Sequence, residues 1–145
     1  MKMADIARRV PLGVGLLATV MVAAGVLHFV APKPYDSIIP RVLPDAYRRP
    51  LTYASGVAEM TVGVMMLVPR TRRLGAQLTA LLLVAVWPAN IDAALRGGYP
   101  GLDGFFGTPT AAWLRVPLQL PLILWAAWLA RRSSPPPTTS RTTPA

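Results

Sequence analysis

The chain alternates long apolar stretches with short polar connections. Four stretches are rich in Leu, Ala and Val, and each is about 20 residues long, which is the helix length that crosses a hydrocarbon core about 30 Å thick. They cover about residues 10–31, 51–69, 74–95 and 110–130. None alternates apolar and polar residues as the strands of a membrane barrel do. The pattern therefore predicts an all-α fold, a transmembrane four-helix bundle spanning residues 10–130.

The composition supports a membrane location. Hydrophobic residues make up 53% of the 145 residues and charged residues only 14%, whereas a soluble domain carries about a quarter charged residues. This excludes an ordinary soluble domain, since too few polar side chains are present to cover its surface. We expect a single-domain, multi-pass protein of the cell membrane, in bacteria the inner membrane, with the lipid bilayer as its first partner.

The distribution of basic residues predicts the orientation. The net charge of +9 resembles that of a nucleic-acid-binding protein, but 14 of the 15 Lys and Arg residues flank or lie outside the apolar stretches. Nine of these belong to the N-terminus, the second connection and the tail, and five to the other two connections. Because basic loops stay cytoplasmic, we expect both termini inside and no nucleic-acid partner. Residues 1–9 form a cytoplasmic N-terminus, and residues 131–145, rich in Ser, Thr and Pro, a disordered cytoplasmic tail.

The first connection differs from the others. Residues 32–50 contain five prolines, several apolar residues and two tyrosines, a composition that forbids a long helix and suits the headgroup region. We expect it to lie as a lid on the outer face of the bundle. The second connection is short enough to form a tight helical hairpin.

Polar residues within the spans are the candidates for a functional site, because ionisable groups are costly in the membrane. At a rise of about 1.5 Å per residue they all fall in the outer half, and every span supplies at least one. If the helices form a bundle, these residues predict a single polar pocket that opens outward. With one aromatic neighbour, the ligand-binding candidates are His28, Glu59, Trp87, Asn90, Asp92, Arg115 and Gln119.

Several of these residues have a simpler interpretation. Arg115 could snorkel to the outer interface instead of pairing inside. His28 could be an interfacial histidine, and Asp92 a helix-end residue. Glu59 is the deepest of the candidates, roughly 12 Å from the outer end of its span, and we expect it to face the bundle interior. Inward orientation alone does not make it catalytic.

The residue inventory excludes several chemistries. The chain has no cysteine and one histidine, so disulfides, thiolate metal sites and a multi-histidine zinc site are absent. We expect no metal site and no covalently bound cofactor. No set of nucleophile, base and acid stands out, and the catalytic residues, if any, are unknown.

Five short motifs together resemble a known family. The motifs are Gly25-Val26-Leu27-His28-Phe29, Ile39-Pro40-Arg41-Val42-Leu43-Pro44, Ser55-Gly56-Val57-Ala58-Glu59, Pro69-Arg70-Thr71-Arg72-Arg73-Leu74-Gly75 and Trp87-Pro88-Ala89-Asn90-Ile91. In order and spacing they are similar to the DoxX-like family of small four-helix integral membrane proteins, over about residues 10–95. The resemblance implies an association with membrane redox complexes and supplies no catalytic residue.

On this basis we expect an accessory subunit of a membrane redox system rather than an enzyme on its own. Its pocket would engage a quinone or a similar lipid-soluble molecule, and electrons would come from a redox partner protein. The alternatives are a non-catalytic scaffold or anchor and a small transporter. The transporter ranks last, because four helices rarely enclose a solute path and a homo-oligomer would be required.

Overall fold

The computed structural model describes residues 10–99 and 102–133. These residues form α-helices and no strand, so the all-α prediction is confirmed for this part of the chain. Short 3-10 turns at Asp45–Tyr47 and Phe105–Gly107 precede two of the helices. Residues 1–9 and most of the predicted tail lie outside the described residues. The helices are α1 (Leu12–Val30), α2 (Pro32–Ile38), α3 (Arg48–Leu67), α4 (Arg72–Leu95) and α5 (Pro109–Arg132).

Local sequence explains where several helices begin and end. Pro32 occupies the first turn of α2 and Pro109 that of α5, where a missing N–H costs nothing. The Thr108 side chain accepts a hydrogen bond from the Ala111 N–H and caps α5. Helix α5 continues to Arg132, two residues into the segment predicted as tail.

Three helices, α1, α4 and α5, are long and apolar enough to cross a membrane. They correspond to the first, third and fourth predicted spans, so the chain has the character of a membrane protein. Helix α3, the predicted second span, is not among the three. It is 20 residues long, but Thr52, Ser55, Glu59 and Thr61 lower its apolar character.

The long helices pack in the order α1, α3, α4 and α5. One end of the assembly has an apolar core to which all four contribute. Near this core, a Cβ atom added to Gly13 of α1 would lie 3.5 Å from Nε1 of Trp125 on α5. The core consists of Val14, Leu17, Ala18, Met21, Val62, Met66, Ala76, Ala126, Leu129 and Ala130. The polar side chains of the predicted pocket therefore lie towards the other end of the helices.

Helices α1 and α3 cross at two glycines. A Cβ atom added to Gly25 would lie 2.6 Å from the Gly56 carbonyl oxygen, and one added to Gly56 would lie 2.8 Å from the Gly25 carbonyl oxygen. Both distances are shorter than carbon–oxygen contacts allow, so this crossing needs glycine on both helices. Close approach through small residues is how membrane helices gain packing contacts.

We expect Gly25→Ala to destabilise the protein by about 1–3 kcal/mol, because the added methyl group meets backbone atoms that cannot move aside. Gly15→Ala is the matched control on the same helix, where a Cβ would make an ordinary contact 3.7 Å from Val10. The control should be neutral or slightly stabilising, since alanine favours helix more than glycine does. Thermal unfolding in detergent, followed by tryptophan fluorescence, measures both. Equal stability of the two variants would contradict the tight crossing.

Candidate functional site

A cavity of about 320 Å³ lies at the polar end of the protein, between α1, α3, α4 and α5 and beneath α2. Apolar side chains such as Leu83, Val86 and Leu122 form much of its wall. The structure brings five of the seven predicted pocket residues to this cavity: His28, Glu59, Asn90, Arg115 and Gln119. Trp87 and Asp92 do not line it.

His28 and Glu59 meet because of the glycine crossing. Each lies three residues after its glycine, about one helical turn, so the crossing places them opposite one another. His28 Nδ1 lies 3.5 Å from Glu59 Oε2 and donates a hydrogen bond to the Ala24 carbonyl oxygen at 2.8 Å. Both side chains are nearly buried, 8% and 12% exposed. Glu59 Oε2 has no hydrogen-bond partner among the described residues, and Glu59 is one of the residues that line the cavity.

Tyr35 of α2 covers the histidine. Its ring stacks on His28 with centroids 3.7 Å apart and an angle of 27° between the planes. Burial raises the pKa of Tyr35, Glu59 acts in the same direction, and Arg115 opposes the shift. The phenol is therefore a hydrogen-bond donor at neutral pH. It lies on the same wall as the carboxyl group of Glu59.

Amide groups join α4 and α5 on the opposite wall. Asn90 Nδ2 donates to Gln119 Oε1 at 2.8 Å, and Gln119 Nε2 donates to the Leu83 carbonyl oxygen. Trp87 Nε1 donates to the Val116 carbonyl oxygen at 2.9 Å, so its role is to hold α5 against α4. Pro88, inside α4, lies in this region. A proline removes one helical hydrogen bond, and side chains that bridge helices stabilise such segments.

Arg115 lies at the edge of the cavity. Its guanidinium carbon is 4.9 Å from the centre of the buried Tyr99 ring, a cation–π contact. No carboxylate of the described residues is within ion-pair distance of Arg115, so it does not pair with Glu59. Arg115 and Leu118 line the cavity and are also exposed, Leu118 by 62%. The mouth of the cavity therefore opens along α5.

Asp92 serves the lid. Its Oδ2 accepts from Arg96 Nε at 2.8 Å, and Arg96 Nη2 donates to the carbonyl oxygens of Ser37 and Ile38 at 3.1 and 3.4 Å. These carbonyls belong to the C-terminal end of α2, where unpaired carbonyls carry partial negative charge. Asp92 orients the arginine that holds α2 in place.

Asp36 fastens the same short helix to α3. Its two carboxylate oxygens accept from Thr52 Oγ1 at 2.7 Å and from Arg49 Nε at 2.9 Å. The lid predicted for residues 32–50 thus contains a helix that is tied to α1 by Tyr35, to α3 by Asp36 and to α4 by Arg96.

Four residues of this region were not predicted from the sequence: Tyr35, Thr52, Ser55 and Arg96. Thr52, Ser55 and Glu59 are spaced by three and four residues, so they share one face of α3, and all three line the cavity. That spacing was the sequence signal that could have identified Thr52 and Ser55 as cavity residues. The contacts of Arg96 with α2 join residues 58 and 59 positions apart and leave no local pattern.

The chain matches a domain of unknown function, DUF8561, over residues 17–130. The chain belongs to this family. The matched region contains every polar residue of the cavity named above, together with the glycine crossing. No curated protein and no solved structure matches the chain. Within the described residues, no group of three or more His, Asp or Glu side chains is placed to hold a metal ion.

We expect Asp36→Asn to loosen α2, because the charged contact with Arg49 is lost. Because Arg49 is exposed and solvent screens its ion pair, the effect should be modest, an acceleration of hydrogen exchange in residues 35–38 by roughly two- to fivefold. Asp45→Asn makes the same chemical change in the same connection at a side chain that is 89% exposed and pairs with Arg48. It should leave α2 unchanged. Equal exchange in both variants would show that Asp36 does not anchor the lid.

Proposed function

We propose that α1, α3, α4 and α5 cross the membrane as a four-helix bundle with both termini on the cytoplasmic side. Three of these helices are apolar enough to do so, and α3 packs between α1 and α4. The polar residues Thr52, Ser55 and Glu59 of α3 face the cavity, so the helix does not have to present them to lipid. The basic connections that the orientation assigns to the cytoplasm agree with this topology.

The cavity in this bundle binds the polar head of a small lipid-soluble molecule, and a quinone is the ligand we propose. The observation that carries the proposal is a cavity of about 320 Å³ whose walls are largely apolar but include Glu59, whose Oε2 has no hydrogen-bond partner among the described residues. Binding sites for small molecules are apolar clefts of roughly 300–1,000 Å³ with a few well-placed polar groups.

The polar groups suit the two redox forms of such a head group. A quinone carbonyl accepts hydrogen bonds, and the Tyr35 phenol and Arg115 guanidinium are donors on the cavity wall. A quinol hydroxyl donates, and Glu59 Oε2 is an acceptor without a partner among the described residues. Glu59 and His28, 3.5 Å apart, are also the groups best placed to exchange a proton with a quinol.

The mouth of the cavity supports a ligand that arrives from the bilayer. Leu118 is exposed on α5 while lining the cavity, and Ala24 lines it from α1. Helices α1 and α5 contact each other little, and the apolar core that they share lies at the other end. An opening between two membrane helices admits a lipid-soluble molecule without passage through water.

The similarity to the DoxX-like family adds the suggestion of an accessory subunit in a membrane redox system. The chain would hold the quinone while a redox partner protein supplies or removes the electrons. A purely structural anchor is the competing function. In an anchor the His28 and Glu59 pair would affect helix packing and nothing else.

Glu59→Gln should weaken binding of the reduced ligand roughly two- to tenfold, since a hydrogen bond contributes about 0.5–1.5 kcal/mol and the amide is a poorer acceptor for a quinol hydroxyl. A benzoquinol with a short alkyl tail, titrated against the protein in lipid nanodiscs by quenching of tryptophan fluorescence, measures the affinity. The oxidised quinone should lose less affinity, because it offers no hydroxyl to Glu59.

Asp103→Asn is the control, since it neutralises an exposed carboxylate outside the cavity. It should bind both forms like the unaltered protein. If Glu59→Gln changes the unfolding temperature but not the affinity for either form, the anchor function is favoured. If the unaltered protein binds neither form, the cavity is not a quinone site.

A further inference from the structure

A second cavity, of about 350 Å³, lies between α4 and α5 at the opposite end of these helices from the polar cavity. It forms where α4 begins and α5 ends. The residues that line it are Arg73, Gln77, Ala80, Ala127, Ala130 and Arg131. Both helices are among the three that are apolar enough to cross a membrane.

The lining of this groove is graded along the helix axes. On α4, Arg73, Gln77 and Ala80 are spaced by four and three residues and therefore share one face. At about 1.5 Å per residue, Ala80 lies roughly 10 Å further into the helix than Arg73. On α5, Ala127 is likewise one turn deeper than Arg131. The groove is thus cationic at the helix ends and walled by small apolar side chains further in.

The two arginines of the groove differ in their contacts from the arginines next to them along the chain. Arg72 donates to the carbonyl oxygens of Met66 and Leu67, and Arg132 lies over the Trp128 ring, 4.4 Å from its centre. Within the described residues, Arg73 and Arg131 form neither an ion pair nor a side-chain hydrogen bond. Two positive charges without a partner in the described part of the chain therefore face one groove.

We propose that this groove binds an anionic phospholipid. The phosphodiester lies between Arg73 and Arg131, Gln77 donates a hydrogen bond to it, and an acyl chain follows the alanine walls past Ala80 and Ala127. Charge complementarity selects a negatively charged headgroup. The apolar depth selects a lipid over free phosphate, because a small ion leaves the alanine-lined part of the groove empty.

The test compares phosphatidylglycerol with phosphatidylcholine of identical acyl chains. The purified, delipidated protein is titrated with each lipid in detergent, and lipid-bound species are counted by native mass spectrometry. The unaltered protein should retain phosphatidylglycerol in preference to phosphatidylcholine. Arg73→Gln and Arg131→Gln should each weaken its binding roughly fivefold, the effect of one basic residue near an anionic surface.

Two further variants distinguish a specific lipid site from nonspecific electrostatic attraction. Arg132→Gln removes the same charge from the same helix end outside the groove, and it should keep the affinity of the unaltered protein. Ala127→Leu leaves the charge unchanged but fills the groove, and it should weaken phosphatidylglycerol binding. Equal losses in Arg131→Gln and Arg132→Gln, or no effect of Ala127→Leu, would overturn the proposal.

Competition with inorganic phosphate tests whether the groove binds a lipid headgroup or a free phosphate ion. Millimolar phosphate should not displace the lipid, since it gains nothing from the alanine walls. Displacement by phosphate at concentrations comparable with those of the lipid would show an ion site and contradict the lipid proposal. A glycerophosphodiester without acyl chains should behave like phosphate.

Discussion

The contact between the backbones of Gly25 and Gly56 determines where α1 crosses α3, and the polar end of the protein is built upon it. A Cβ atom on either residue would lie less than 3 Å from the carbonyl oxygen of the other. One turn further along each helix, His28 and Glu59 come within 3.5 Å of each other. The crossing thus brings a base and an acid from two helices to the wall of one cavity. A wider crossing would separate them and remove the surface on which Tyr35 stacks.

Around this pair the structure satisfies most of its buried polar groups with other side chains. Asn90 and Gln119 bind each other across α4 and α5, and Trp87 binds a carbonyl of α5. Such pairing is required, because burying a polar group without a hydrogen bond in an apolar environment costs about 2–7 kcal/mol. Glu59 Oε2 and the Tyr99 hydroxyl are buried without a hydrogen-bond partner in the described part of the chain, and of these two residues Glu59 is the exception that lines the cavity. That exception is the reason to regard the cavity as a binding site rather than only a seam between helices.

The sequence predicted what depends on length and depth, and missed what depends on distant contacts. Apolar length identified α1, α4 and α5, and depth in the spans identified His28, Glu59 and Gln119 as neighbours of one cavity. The helix within residues 32–50 was not predicted, because its position depends on Asp36 reaching α3 and on Arg96 reaching α2 across 58 or more residues. Asp92 was grouped with the pocket by depth alone, although its partner is four residues away on the same helix.

The proposed quinone site requires a cavity that opens along α5, beneath the α2 lid, and that a quinone-like ligand can fill. The chain has no cysteine, so a single Ser55→Cys substitution on the cavity wall reports access directly. The measurement is the rate at which a membrane-permeant maleimide labels this variant in lipid vesicles, with and without a short-tailed quinone. We predict that the quinone slows the labelling of Ser55→Cys, while Asp45→Cys, whose position in the connection before α3 is 89% exposed, is labelled at the same rate under both conditions. Equal labelling rates of Ser55→Cys with and without quinone would contradict a quinone site in this cavity.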